Sequence, residues 1–592
     1  MNTHCPVPHP AFLLIRAVFP LVLAIFGLSL PAGATTLTYV GGQNIPTGTV
    51  VGGAEVGGLS GISYNPYTDR FIAITDDSRS VGASRMWNLD LAYDGTTFSS
   101  ATALSEGGLK KPDGSALPLA DTEGIAGNLD GSFYVSHEGL AAGSDAAYSI
   151  PPWIFRFNGA TGNREAEVAL PAKFLPRDSS GNPVPPSAAN QASGVVSNLS
   201  LECLGITPAK KFLFAANEAA LKQDYNGTYN NDTNQAQSSL TRIVRFSGVP
   251  GNPMAAQEKV YQADQGTLFF LVRRFNTVPE ILPIDDSGRM LVMERGLTQN
   301  NTNLGSYRIR IYEVDFNQAG ATDVSGIASL VGASYTRLSK TLIWESSANM
   351  DNVEAMCFGR DVNGFRTLVL ASDNNFNGSQ TTQFHVFRTD IPAVTRRTLG
   401  TTVLGNGSVT AAPSVAWYPD GSEVTLIAIA AANFTFTNWS GNLTGNSNPA
   451  SLTMDADKAV TASFLSPYQN WRTGYFTSEE ISGTQLSAPT SDPEGDGLQN
   501  LLEYALNLHP REPSFAGLPV VGDDGGNLTL TYLKDTTKTD ISYQVETSDS
   551  LSGWGAVSDA FVSTNGTIET RKAVVPINGI RKFLRLKITQ LF

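Results

Sequence analysis

Cysteine is almost absent from this chain. Cys5, Cys203 and Cys357 are the three present in 592 residues, too few for a disulfide framework. Charged residues are scarce at 16%, and acids outnumber bases by 54 to 40, for a formal net charge of −14. That balance excludes nucleic acid as a partner, because phosphate contacts need a basic footprint. It is compatible with cation binding. The chain has no G-x-S-x-G elbow, H-E-x-x-H helix or P-loop. It also lacks R-H-G-x-R-x-P and Cys-x₅-Arg, which removes the histidine-acid and cysteine phosphatase mechanisms. Beyond residue 30 no apolar run approaches the roughly 20 residues of a membrane span, and few long helical patterns are visible.

The one long apolar run is at the start. Arg16 is followed by Ala17 to Leu30 and then by Ala32-Gly33-Ala34, a small-residue cleavage site. Residues 1–34 read as a secretory signal peptide, too short in its apolar part for an anchor. The mature protein is expected to be secreted, periplasmic or on the cell surface. Removing the leader takes away Arg16 and no acid, so the charge becomes about −15. Cys203 and Cys357 remain, read as buried free thiols with pairing left open.

Glycine is abundant at 56 residues, and short alternating apolar runs dominate, so the fold class is all-β. One unit recurs five times: two apolar runs around a turn. The copies begin at Gly58, Asp121, Leu201, Pro279 and Val353. The second reads DTEGIAGNLDGSFYVSHEG, a hairpin about an Asp-Gly turn. Further strand patterns follow most copies, as at Met86–Leu91, Trp153–Phe157, Arg242–Phe246, Tyr307–Val314 and Phe384–Arg388. About four strands every 63 to 79 residues predict a β-propeller over 35–392. Five blades fit best and six are possible. The period leaves room for long loops at 141–150, 177–200 and 221–239. The last unit lacks an outer strand, and Thr36–Val40 is placed to supply it and close the ring.

Carboxylates mark both ends of almost every copy. Glu123, Glu202, Glu280 and Glu354 begin first strands. Asp76, Asp77, Glu138, Glu218, Glu294 and Asp373 end second strands. In a propeller these two places lie at the same end of the ring, so the acids are expected to form one substrate or cation face. Crowded carboxylates raise one another's pKa until a cation relieves them. Oxygen ligands favour Ca²⁺ or Mg²⁺, and Arg295 lies within the set. His137, beside Glu138, is the one histidine expected at that rim. His137, Glu138 and Arg295 are therefore the candidate catalytic groups. Structural capping by each acid is the competing explanation.

Three smaller regions follow. Residues 393–466, with FTFTNWSG at Phe434–Gly441 and AVTASF at Ala459–Phe464, resemble the bacterial B-repeat module of internalin surface proteins. That resemblance implies a small β spacer or adhesive unit. Residues 467–512 are expected to be a linker with a calcium loop and a short helix. Asp492, Glu494, Asp496, Leu498, Asn500 and Glu503 match D-x-D-x-D-G-x₅-E, and Gly497 supplies the bend. With no entering helix in view, the loop resembles the single loops of dockerins and thrombospondin type 3 repeats. Residues 513–592 read as a small β-sandwich.

The units between 37 and 392, above all ILPIDDSGRMLVMERG and DTEGIAGNLDGSFYVSHEG, resemble the bacterial family called "esterase-like activity of phytase". The resemblance implies a propeller that hydrolyses phosphate or other esters. It supplies no residue-level catalytic set, and its likeness to calcium-dependent alkaline phytases is architectural only. The expected activity is thus an exported, divalent-cation-dependent ester or phosphoester hydrolase acting on a small molecule. A calcium-dependent lactonase-type enzyme is one alternative. The other is a non-catalytic surface or matrix protein that binds glycan, protein or another extracellular polymer.

Overall fold

A computed structural model describes residues 33–76, 84–117, 121–139, 151–225, 240–249, 251–264, 272–300, 303–346, 350–483 and 485–591. The expected leader up to residue 32, Asp77, the expected loop at 141–150 and most of that at 221–239 lie outside the described residues.

Five four-stranded antiparallel sheets are the blades. Blade 1 is Leu59–Asn65, Arg70–Thr75, Arg85–Tyr93 and Phe98–Gly108. Blade 2 is Thr122–Gly127, Phe133–His137, Trp153–Phe157 and Arg164–Val168. Blade 3 is Cys203–Ile206, Phe212–Ala216, Leu240–Ser247 and Met254–Gln262. Blade 4 is Val272–Pro283, Arg289–Asn300, Asn303–Asp315 and Lys340–Glu345. Blade 5 is Val353–Val362, Phe365–Ser372 and Thr382–Pro392, completed by the N-terminal strand Leu37–Ile45. That strand pairs antiparallel with Thr382–Pro392, from Leu37↔Thr389 to Ile45↔Thr382. The two ends of the domain thus close the ring, as Thr36–Val40 suggested.

Turn chemistry shapes the hairpins. In blade 2 the Asp130 carboxylate accepts the Ser132 N–H at 3.0 Å, and Gly131 takes φ 81°, a left-handed value that glycine adopts without strain.

The first strands of successive blades are neighbours, and blade 5 returns to blade 1. Each blade boundary buries its own apolar cluster. Examples are Ile74, Phe133 and Trp153 between blades 1 and 2, and Leu291, Met293 and Leu370 between blades 4 and 5. At the axis the strands approach so closely that side chains are limited. A Cβ on Gly61 would lie 2.4 Å from the Glu123 carbonyl, and one on Gly124 2.7 Å from that of Glu202. Cys203 and Cys357 are buried and unpaired.

Two three-stranded sheets follow the propeller, Leu399–Leu404/Lys458–Leu465/Thr435–Gly441 and Gly407–Ala412/Glu423–Ala430/Ala450–Thr453. Their core includes Trp439, Phe464 and, from blade 2, Leu129. The Tyr67 hydroxyl donates to the Trp417 carbonyl at 2.9 Å, and the two rings lie 5.1 Å apart. This module is therefore packed against the propeller.

Three helices come next, α1 (Pro467–Tyr475), α2 (Ser478–Ser482) and α3 (Asn500–Leu506). The first two begin with capping boxes, Ser466 with Gln469 and Thr477 with Glu480, a signal visible as S/T-x-x-Q/E. The segment expected to be a linker is instead packed: Tyr468 and Trp471 of α1 and Tyr504 of α3 share a core with Ile541 and Ile588. Those last two belong to Ile541–Ser548 and Phe583–Gln590 in the smaller of two final antiparallel sheets. No described helix is long and apolar enough to cross a membrane.

Candidate functional site

A repeated irregularity in the first strands aims the acids. Pairing with the second strand skips between Leu59 and Gly61, Thr122 and Ile125, and Val353 and Ala355. The residues in the skips include Ser60, Glu123 and Glu354. A bulge of this kind re-aims a side chain out of the regular alternation. In blades 1, 2, 3 and 5 an acid one or two residues beyond the second strand is then tied back across the hairpin. Asp76, Glu138, Glu218 and Asp373 donate their N–H groups to the carbonyls of Gly58, Asp121, Ser200 and Asn352 at 2.7–3.1 Å.

The outcome is a carboxylate rim. Ligand oxygens of Asp76, Glu354 and Asp373 lie within 4.8 Å of one another, as do those of Asp121, Glu123 and Glu138, and those of Glu138, Glu202 and Glu218. Arg295 joins two sides of it. Its guanidinium donates to Glu218 at 2.9 Å, to the Asn352 side chain at 2.9 Å and to Glu354. Burial pushes Glu123 and Glu202 well above the usual carboxylate range, and neighbouring acids raise them further. Burial and the Asp121 charge lift Glu138 to about 8, although a hydrogen bond with Glu202 opposes the shift. Asp373 is lifted to about 8 by burial and Glu354. Burial also raises Glu218, while Arg295 counteracts it. At neutral pH such a set holds protons or a cation in place of full negative charge.

The rim is therefore a candidate metal centre. Its donors are all oxygen, which fits a hard divalent ion such as Ca²⁺ or Mg²⁺ rather than a soft one. Asp121 and Asn352 belong to it and were missed in the sequence. Asp121 stands two residues before Glu123, and that D-x-E spacing was its visible signal.

Blade 4 departs from the expected pattern. There Thr277 pairs with Arg295 and Glu280 with Met293. Blade 2 pairs Thr122 with His137 and Ile125 with Val135. By register the blade 4 residue equivalent to Glu123 is Val278, so Glu280 sits two residues further along its strand. Its carboxylate accepts the N–H groups of Leu204 and Ile281 at 3.2 and 2.9 Å, and burial raises its pKa strongly. Glu294 is also absent from the rim clusters. It accepts from the Tyr261 hydroxyl, the Asp264 N–H, the Asn276 amide and Lys340, which makes it a structural acid.

His137 is not at the rim chemistry either. Its ring is fully buried and stacks on Trp153 at 4.6 Å. Its Nδ1 accepts the Gly139 N–H at 2.6 Å, and burial depresses its pKa to about 3. Alternation within Phe133–His137 turns it with Phe133 and Val135 into the boundary with blade 1. A neutral imidazole there is unsuited to the general-acid role expected of it.

A second acidic site lies in the C-terminal region. Ligand oxygens of Asp492, Glu494 and Asp496 are within 4.8 Å of one another. Asp492 accepts the N–H groups of Gly495, Asp496 and Gly497 at 2.8–3.2 Å. Asp496 accepts those of Leu498 and Ser514. Both carboxylate oxygens of Glu494 and of Glu503 are buried without a hydrogen-bond partner. Burial and Glu494 together lift Glu503 to about 8. The Asn500 amide donates to the carbonyls of Leu486 and Ala488 at 2.8 Å, while its own oxygen has no partner. Unpartnered buried acceptors without donors fit a bound cation.

Five antiparallel blades closed into a ring make this a β-propeller with an acidic rim at one end. The chain belongs to the family described as "esterase-like activity of phytase", whose model matches residues 54–376. A second model, the divergent internalin B-repeat domain, matches residues 398–466. No curated protein matches. One similar solved structure is a Bacteroides fragilis protein provisionally assigned as a 6-phosphogluconolactonase. It shares 11% identity, covers 56% of this chain and 85% of that one, and has a TM-score of 0.23, a likeness that carries no argument here.

Proposed function

We propose that this chain is an exported, divalent-cation-dependent hydrolase of phosphate or other esters, with its reaction at the carboxylate rim. The observation that carries this reading is the convergence of three carboxylate triads and Arg295 at one end of the channel. Asp121, Glu123 and Glu138, or Asp76, Glu354 and Asp373, would hold the ion. When bound, the ion supplies charge neutralisation and Lewis acidity for a phosphoryl or carbonyl oxygen. With the ion on Asp76, Glu354 and Asp373, Glu138, raised to about 8 and hydrogen-bonded to Glu202, is suited to move a proton near neutral pH. Arg295 keeps the two sides of the rim in place and offsets part of its negative charge. An anionic substrate needs that offset before it can approach.

The B-repeat module favours this reading over an adhesive one, because it is packed on the propeller rather than held away from it. We also propose calcium for the 492–503 loop, on its unpartnered buried oxygens. The leader before Thr35 is the basis for export.

The full mature chain should be assayed against phosphomonoesters, phosphodiesters, carboxyl esters and lactones, with Ca²⁺ or Mg²⁺ and with a chelator. Turnover of one class is expected, abolished by the chelator and by Glu202→Gln with Glu354→Gln. Folded protein that turns over none of the four classes overturns the enzyme reading.

A further inference from the structure

The opposite end of the channel has a different character. A cavity of about 180 Å³ opens where the first strands run out into their turns. Ile62, Leu204, Leu282, Met356 and Phe358 line it, together with Trp417 of the B-repeat module. The cations on its wall are Lys210, Arg366 and Arg396, and the one acid is Asp361. Arg396 is matched to Asp361 at 3.0 Å and stacks on Trp417. The other two cations form no direct ion pair among the described residues, although the Asp286 charge acts on both and those of Asp361 and Asp285 act on Arg366. Arg366 donates to the carbonyls of Ile284 and Pro392 and lies 4.2 Å over the Phe358 ring. The Lys210 backbone takes φ 59°, a left-handed value that glycine or asparagine adopts more readily. Its side chain lines the cavity beside apolar walls, with Asp286 as its charged neighbour.

We propose that this cavity is a second ligand site, distinct from the rim, for a small carboxylate with an apolar body. The cavity is comparable with the roughly 150 Å³ that holds a benzene ring, so an aromatic monocarboxylate is the size that fits. The carboxylate would lie against Lys210, with Arg366 adding positive charge, and the ring would fill the apolar wall beside Trp417. Burial depresses the Lys210 pKa to about 8, with nearby Asp286 opposing the shift, and an arriving anion would restore the ammonium. The charged neighbour of Lys210 is Asp286 from blade 4; Asp361 and Arg366 from blade 5 and Arg396 from the segment after the propeller line the same cavity.

Calorimetric titration of the full mature chain with benzoate and with benzyl alcohol tests this. Benzoate should bind about tenfold more tightly than the alcohol, the worth of one charge-assisted hydrogen bond. Lys210→Met should remove that preference and Lys210→Arg should keep it. Inorganic phosphate should not compete, because it lacks the apolar body. If Lys210→Met does not fold, the wild-type chain at pH 10 replaces it: benzoate affinity should fall at least fivefold, with that for the alcohol unchanged. Equal affinity for the two probes, or a preference that survives in folded Lys210→Met, overturns the site. The outcome does not depend on turnover at the rim.

Discussion

Arg295 of blade 4 donates to Glu218 of blade 3 at 2.9 Å, with both side chains largely buried. The same guanidinium reaches Glu354 of blade 5, so one cation ties three blades at the axis. Removing one partner from a buried ion pair typically costs about 3–5 kcal/mol, because the other charge is left exposed to low dielectric. Arg295→Met should therefore destabilise the propeller by about that much at pH 8. Protonation of the freed acids should relieve most of the loss at pH 5. Denaturant unfolding at the two pH values checks this. An equal loss at both would show that Arg295 contributes packing rather than charge.

The rim also makes a statement about pH. Glu138 and Asp373 are raised to about 8 from ordinary values of 4.5 and 3.8. A carboxyl whose pKa is raised on folding binds more protons folded than unfolded. Its contribution is complete below about pH 4 and is lost as pH climbs toward 8. Metal-free protein should accordingly melt at a lower temperature at pH 8 than at pH 5.5, by about 3 °C for a loss of about 2 kcal/mol. Millimolar Ca²⁺ or Mg²⁺ should cancel most of the difference. A melting temperature that rises with pH in chelator would contradict the direction of these shifts.

Much of this arrangement was legible in the chain. Glu123, Glu202 and Glu354, each at the start of a first strand, and the Thr36–Val40 closure were visible because strand period and turn residues fix which end of the ring they occupy. Blade 4 was not legible. Its P-E-I-L matches the other copies by eye, yet a two-residue difference in register sends Glu280 along the channel. Only the pairing of Thr277 with Arg295 reveals it. His137 failed for a related reason. Its neighbour Glu138 belongs to the rim, but adjacent strand residues face opposite ways, and Trp153, its stacking partner, is distant in sequence. Arg295 was found at the rim because its length carries charge from a position equivalent to that of His137.

The C-terminal loop gives a cleaner metal test than the rim. Ca²⁺ at a hundred times its dissociation constant should stabilise the C-terminal unit by about 2.7 kcal/mol. Because α3 shares its core with α1 and the last strand, that gain should appear in the melting of the whole 467–592 region. Glu503→Gln should abolish the calcium response. It should cost little in chelator, since burial already favours a neutral side chain there. Retention of the full response in Glu503→Gln would remove this residue from the ligand set.

Leader removal connects to the ring closure through Thr35. Its backbone nitrogen donates to Glu313 at 2.8 Å and is largely buried. The other Glu313 oxygen is held by Arg289 at 2.7 Å. Cleavage after Ala34 would turn that amide into an α-ammonium facing a carboxylate. A charge-assisted hydrogen bond then replaces a neutral donor, and such bonds contribute about 1.5–3 kcal/mol against about 1 for ordinary ones. A chain beginning at Thr35 should therefore be more stable than one beginning at Ala34, by about 1 kcal/mol. Glu313→Gln should reduce the difference, because a neutral amide oxygen attracts the ammonium less than a carboxylate does. Unfolding of the four proteins side by side decides it. Equal stability of the two wild-type forms would mean that Thr35 is anchored by its backbone position alone.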